Sequence, residues 1–412
     1  MLRRILDLRH VPILVRTPAV SCLLCTCYNV KQGTSKGHYL STTSKASPRL
    51  PIPSFGEQEE LFAPAFRVLE DAISARAFPG AAVAVTRGGN LVVSKGVGRF
   101  TYENGSPLIA ADTIYDLASV SKVVATTAMA MILYERGELD LEIPVASVVP
   151  EFAGEDPRRD EITLHMLLAH SSGLPAYVKL FEQADTADEL MRAALRVDLT
   201  GEPGARAEYS DIGFIILGEL LARLSGESLD HFCRHEIFGP LGMAHSCFTP
   251  PLSASASIPP TVNDTTFRHR MIQGEVHDEN ASVLGGVAGH AGVFAPATDL
   301  AALAHCMLSG GAPILRPQTV ALFTRRELNP AGTSRALGWD TPSSPSQSGR
   351  YFSSQCFGHL GYTGTSLWID PSRALSVTLL TNRTWPDNKN QAIKQVRPQF
   401  HDAIIECLEA QR

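Results

Sequence analysis

Apolar positions along the chain recur first at helical and then at strand spacing. Between Glu57 and Arg76 one stripe collects Leu61, Ala65, Val68, Leu69, Ala72 and Ile73, the interval of an amphipathic helix, and Pro79-Gly80 ends it. Ala81 to Thr86 and Leu91 to Val97 read as two strands joined across Arg87-Gly88-Gly89-Asn90, a hairpin turn in which glycine tolerates positive φ. From about Ser119 to Leu308 the pattern is mainly helical, with periodic segments at Val123 to Glu135, Ile162 to Ala169 and Ile212 to Leu224. Strand signals return at Ala336 to Asp340, Ser366 to Ile369 and Leu375 to Leu380, and Ile393 to Leu408 closes the chain as an amphipathic helix. No internal repeat interrupts this order. Strands from both ends with helices between them predict an α+β sandwich. An antiparallel sheet flanked by terminal helices takes residues 57–118 and about 310–412, and a mainly helical subdomain takes about 119–309. The cleft between the two is the expected ligand site.

The first 56 residues differ. They carry Arg3, Arg4, Arg9, Arg16, Lys31, Lys36, Lys45 and Arg49 against the single acid Asp7, the balance of a targeting leader. The apolar stretch Val11 to Val30 is interrupted by Arg16 and too broken to span a bilayer. A secretory signal, a mitochondrial transit peptide and an over-extended start all fit, with an extracytoplasmic address favoured, and Ser41 to Pro53 reads as a linker. For the 412-residue chain a net charge of -6, with 44% hydrophobic and 19% charged residues, gives no electrostatic footprint for nucleic acid. Cys22, Cys25 and Cys27 cluster near the start, while Cys233, Cys247, Cys306, Cys356 and Cys407 are scattered, which argues against a disulfide framework.

Three local patterns carry chemistry. Ser119-Val120-Ser121-Lys122 opens the helix of Val123 to Glu135. Serine and lysine three apart share a helix face, and a serine hydroxyl needs a basic group beside it to become a nucleophile. With an unperturbed pKa of about 10.4, lysine serves as base only where burial or a neighbour lowers that value or relays the proton. The pattern arises by chance roughly once in a chain of this composition, and its plainer reading is a capping serine with a solvated lysine. Tyr209-Ser210-Asp211 precedes the helix Ile212 to Leu224 about 90 residues later. A phenol there could share protons with Lys122, its pKa lowered by the ammonium; the plainer reading is a capping Asp211 and a packed Tyr209. Gly358-His359-Leu360-Gly361-Tyr362-Thr363-Gly364-Thr365 leads into the strand Ser366 to Ile369. Glycines there let backbone approach a ligand, and an N–H beside that of Ser119 could hold an oxyanion at about 3 kcal/mol per donor. Two rival matches read as structure: Tyr102-Glu103-Asn104 as a turn, and Gly289-His290-Ala291-Gly292 as a flexible loop lining the cleft.

In this order and spacing the three patterns resemble the serine β-lactamase and penicillin-binding protein superfamily, most closely its class C-like branch of D,D-carboxypeptidases, D-aminopeptidases and esterases. Its motifs Ser-x-x-Lys, Tyr-x-Asn and Lys- or His-x-Gly are matched at Ser119 to Lys122, Tyr209 to Asp211 and His359 to Gly361. Supporting phrases are Leu167-Leu168-Ala169-His170-Ser171-Ser172-Gly173-Leu174-Pro175, Ile237-Phe238-Gly239-Pro240-Leu241-Gly242-Met243 and Val276-His277-Asp278-Glu279-Asn280-Ala281. The resemblance runs from about Pro79 to Trp385 and implies a β-lactamase/transpeptidase-like fold. It implies Ser119 as acylated nucleophile, Lys122 and Tyr209 as the proton-handling pair, and the N–H groups of Ser119 and Tyr362 as the oxyanion hole. Asp211, His359, Gly361 and Thr363 would be its substrate contacts. Asp211 departs from the usual asparagine, bringing a charge that holds Lys122 differently. His359 departs from the lysine of true β-lactamases, removing a permanent charge that would grip an antibiotic's carboxylate.

The expectation is a serine hydrolase that forms an acyl-enzyme on carboxylic esters or D-amino-acid peptides and amides, with no cofactor. Its partner is a small-molecule or peptide acyl substrate; oligomeric state is left open. β-Lactam hydrolysis and a catalytically silent scaffold of the same fold are the alternatives. An α/β-hydrolase is disfavoured because no Gly-x-Ser-x-Gly elbow occurs in residues 57–412; the one match, Gly33-Thr34-Ser35-Lys36-Gly37, falls in the leader, with no strand-turn-helix pattern around it. Zinc hydrolysis is disfavoured because His235-Glu236 lacks a following histidine and the thirteen histidines show no ligand spacing.

Overall fold

The computed structural model describes residues 57–410. The leader and linker of residues 1–56, with Cys22, Cys25 and Cys27, lie outside them.

Strands β1 (Gly80–Arg87) and β2 (Asn90–Gly98) form the expected hairpin. Its turn places Gly88 and Gly89 at φ 56° and 81°, the left-handed pair a two-residue hairpin demands. Strands β3 (Phe357–Leu360), β4 (Ser366–Asp370) and β5 (Leu375–Thr381) complete an antiparallel sheet in the order β2-β1-β5-β4-β3. The two ends of the chain meet where β1 pairs with β5, Ala81 opposite Thr381 and Val85 opposite Val377.

Strand β1 reads as a continuous apolar run because both of its faces are covered. Ala81, Val83 and Val85 join Leu375, Val377 and Leu379 under helices α1 (Ala63–Ser74) and α5 (Ile393–Ala410), with Phe66, Leu69, Phe400 and Ile404. Ala82 and Ala84 point the other way and join Leu367, Ile369 and Leu380 in the larger core. That core contains the helical region, including α2 (Ala128–Arg136) and α3 (Asp211–Ser225). Helix α4 (Ala297–Leu308) packs on β1 and β5 from this side.

Two sequence expectations fail locally. Ala336 to Asp340 is no strand: Ala336 donates to the Trp339 carbonyl at 2.8 Å, Gly338 sits at φ 81°, and pairing is limited to isolated bridges at Arg335 and Asp340. Its apolar residues are buried in a turn, so burial without a ladder imitated a strand. Conversely, Phe357–Leu360 is a strand, and His359 stands within it. Cys233, Cys247, Cys306, Cys356 and Cys407 are free thiols. Among the described residues no helix is long and apolar enough to cross a membrane.

Candidate active site

The segment before Ser119 is pinned from several sides. Tyr115 and Asp116 pair with Val293–Ala295, and the Leu117 N–H donates to the Val293 carbonyl at 3.0 Å. The buried Asp116 carboxylate accepts from the Ala118 N–H at 2.8 Å and the His277 N–H at 2.6 Å. Burial raises its pKa to about 6 against these bonds. Ala118 adopts φ 47°, a conformation costly for a residue with a Cβ, so Ser119 is presented on a constrained bend. Ser119 lies in a 3₁₀ turn, Ala118–Val120, and Lys122 opens a π-helical stretch, Lys122–Thr127, before regular helix begins at Ala128. The expected shared helix face is thus delivered by irregular helix, a common feature of functional sites.

Lys122 is fully buried rather than solvated. Its Nζ lies 2.6 Å from Asp211 Oδ1, 2.9 Å from the His290 carbonyl oxygen and 3.1 Å from Ser119 Oγ. Burial holds its pKa below the ordinary lysine value, although Asp211 pulls upward. Two of the three partners can only accept. When Lys122 loses a proton, its two remaining N–H bonds face Asp211 and His290, and its lone pair faces Ser119 Oγ.

Tyr209 completes the set, donating from its hydroxyl to Ser119 Oγ at 2.7 Å. The phenol was expected to be acidified; instead burial first, and Asp211 next, push it well above the ordinary phenol value. It is a proton donor at rest. The cap of α3 is Ser210, not Asp211: Ser210 Oγ accepts from the Gly213 N–H at 2.9 Å, which leaves Asp211 in the first turn facing Lys122. His170 holds this corner, accepting from the Ser210 N–H through Nδ1 at 3.1 Å, with its ring 4.8 Å from that of Tyr209.

The third motif is stapled to the nucleophile segment. Thr363 Oγ1 donates to the Asp116 carbonyl at 2.9 Å and Thr365 Oγ1 to the Leu117 carbonyl at 2.7 Å. A Cβ on Gly361 would lie 2.4 Å from that same Leu117 oxygen and 1.9 Å from Thr365 Oγ1. Gly361 and Thr363, the expected substrate contacts, also hold the turn against the segment that precedes Ser119. Tyr362 stands half exposed at its apex, its ring 4.5 Å from the Arg383 guanidinium carbon. His359, the expected substrate contact of this motif, stands in place of a permanently charged lysine. It is buried, and its Nδ1 lies 2.8 Å from the Leu360 carbonyl, which fixes the proton there because a carbonyl only accepts. Burial, then Lys122 and Arg335, hold its pKa well below the ordinary imidazole value. Its Nε2 is left as a buried, unpartnered acceptor.

Three contributors carried little sequence signal. The Gly289–Gly292 segment is no flexible loop: it supplies the His290 carbonyl to Lys122, while His290 Nε2 pairs with Asp278 Oδ1 at 2.8 Å and Thr126 Oγ1 donates to the Gly289 carbonyl at 2.6 Å. Asp278 belongs to the His277-Asp278 phrase, so that phrase braces the lysine. Arg335, just before the Ala336 to Asp340 turn, places its guanidinium carbon 5.3 Å from the centre of the Tyr209 ring while pairing with Asp340.

A sequence model of the Beta-lactamase family matches residues 66–398. A protein of Salmonella agona named "Putative D-alanyl-D-alanine carboxypeptidase" is 32% identical over 347 residues, 74% of this chain and 79% of that protein. Among solved structures, "EstCE1, a hydrolase with promiscuous acyltransferase activity" superposes with a TM-score of 0.68 at 23% identity, covering 84% of this chain and 98% of that one. A class C β-lactamase of Rhodobacter sphaeroides superposes with a TM-score of 0.65 at 24% identity, covering 84% and 99%. The chain has the β-lactamase/transpeptidase-like fold these structures share, and it belongs to the Beta-lactamase family of serine hydrolases.

Proposed function

We propose that this serine hydrolase forms its acyl-enzyme on Ser119, with Lys122 as base and Tyr209 as acid, and that its substrates are D-amino-acid peptides in preference to β-lactams. The observation that carries the assignment is the double hold on Ser119 Oγ, by Tyr209 Oη at 2.7 Å and Lys122 Nζ at 3.1 Å.

In the acylation step Ser119 Oγ attacks the acyl carbon and its proton passes to the lone pair of neutral Lys122. The Tyr209 proton goes to the departing oxygen or nitrogen, and the phenolate so formed recovers a proton from the Lys122 ammonium, the two groups converging on Ser119 Oγ. The N–H groups of Ser119 and Tyr362 receive the developing oxyanion. Hydrolysis of the acyl-enzyme by water reverses these transfers.

Substrate preference follows from charge. A neutral His359 with a free Nε2 lone pair offers a donor on the substrate an acceptor and lacks the permanent charge that the lysine of true β-lactamases brings to this position, which disfavours β-lactams. Arg335 supplies a cation beside Tyr209 with a fifth of its side chain exposed, suited to a C-terminal carboxylate. The carboxypeptidase name of the 32%-identical Salmonella protein agrees with that choice. The test is turnover of a nitrophenyl ester, a D-Ala-D-Ala peptide and nitrocefin by wild type and Ser119→Ala. Peptide and ester turnover well above nitrocefin, lost in the variant, is expected; nitrocefin as the best substrate would overturn the preference, and equal turnover by the variant would overturn the nucleophile.

A further inference from the structure

We propose that Glu227, His231 and His235, outside the active site, form a surface site for one divalent transition ion such as zinc. The sequence reading that the histidines show no ligand spacing fails here: His231 and His235 stand four residues apart, with Glu227 four before His231. Glu227 precedes the helical turn Leu229–Phe232, which runs into the π-helical stretch Cys233–Phe238. This arrangement gathers one donor atom from each residue within 4.8 Å of the others.

The orientation of His235 carries the argument furthest. Its Nδ1 lies 2.7 Å from the His231 carbonyl oxygen, so that nitrogen bears a proton and Nε2 is the nitrogen left to ligate a metal. A backbone carbonyl holding the far nitrogen is the usual support of a ligating imidazole. Nε2 faces two carboxylate oxygens, Glu227 Oε2 and Glu236 Oε1, each at 3.5 Å. Such a nitrogen beside carboxylate oxygens needs a cation between them, a proton or, in its place, a metal ion. The Glu227 oxygen is also 2.7 Å from His231 Nδ1, and the two imidazole rings are 4.9 Å apart.

Tetrahedral zinc with bonds of about 2.0–2.1 Å needs donors roughly 3.3 Å apart. The 3.5 Å separation already fits, and the 2.7 Å contact opens as the metal replaces the shared proton. Two imidazoles and a carboxylate select zinc, copper or nickel over magnesium and calcium. His231 is exposed and the side chains of His235 and Glu227 are about two-fifths and one-third exposed, which leaves room for water at the remaining position.

The test is titration of the full, tag-free chain with zinc by calorimetry, repeated with His231→Gln and His235→Gln. Saturation at one zinc per chain is expected, with affinity reduced at least about 10-fold in each variant and with binding that strengthens as pH rises, because the ligands must shed protons. Ester turnover, which rests on Ser119, checks that the variants are folded. The absence of a saturable step in wild type, or equal zinc affinity in wild type and folded variants, would overturn the site.

Discussion

Replacing Asp211 with asparagine keeps a carbonyl oxygen for the Lys122 N–H and removes the charge. Asp211 Oδ1 lies 2.6 Å from Nζ of a lysine with no solvent exposure, and the Asp211 side chain is itself 17% exposed. Two opposed influences set Lys122: burial, the larger, lowers its pKa, and Asp211 raises it. Removing the second leaves the first unopposed. A hydrogen bond to a charged group contributes about 1.5–3 kcal/mol, so removing the charge of Asp211 lowers the pKa of Lys122 further. Because attack requires neutral Lys122, activity rises as pH climbs through that pKa, and the rising limb of kcat/KM moves to lower pH. At a fixed pH on that limb the variant gains about 10–100-fold in kcat/KM relative to its own plateau. The assay is the pH profile of kcat/KM on a nitrophenyl ester for both enzymes. A midpoint moved to lower pH is the expected result whatever the height of the plateau; an unmoved or raised midpoint refutes Lys122 as the base.

Other perturbations give distinct outcomes. Arg335→Gln raises KM for a carboxylate-terminated D-peptide by about 10–100-fold, the equivalent of one charge-assisted bond, and leaves a neutral ester nearly unchanged; equal losses on both substrates would show that Arg335 only supports its turn through Asp340. Gly361→Ala drives a Cβ against the Leu117 carbonyl and Thr365 Oγ1. Overpacking of this kind costs about 1–3 kcal/mol, seen as a lower Tm with a lower kcat, whereas unchanged melting and turnover would show that the staple is dispensable.

The sequence made the hairpin, the terminal helices and the order of the three motifs legible because each rests on local period or spacing. The β1 run and the α1 stripe are direct records of which faces are buried. Sequence reasoning failed where burial and backbone geometry part company. Ala336, Leu337 and Trp339 are buried in a turn, and Phe357–Leu360 forms a strand despite Gly358. The carbonyl of His290 could not be foreseen as a lysine partner, because a backbone oxygen carries no residue signature. The charge state of His359 and the raised pKa of Tyr209 are consequences of burial by distant segments. Thr363 and Thr365 lie in the expected motif, but that they face the carbonyls of Asp116 and Leu117 is a long-range fact about packing.

The most direct test of the central claim is intact-mass analysis of enzyme quenched during turnover of a slow ester, followed by peptide mapping. An adduct of the acyl mass on Ser119, absent in Ser119→Ala and accumulating more slowly in Tyr209→Phe, is the predicted result. Turnover without any covalent adduct even when deacylation is rate-limiting, or an adduct on another residue, would contradict it.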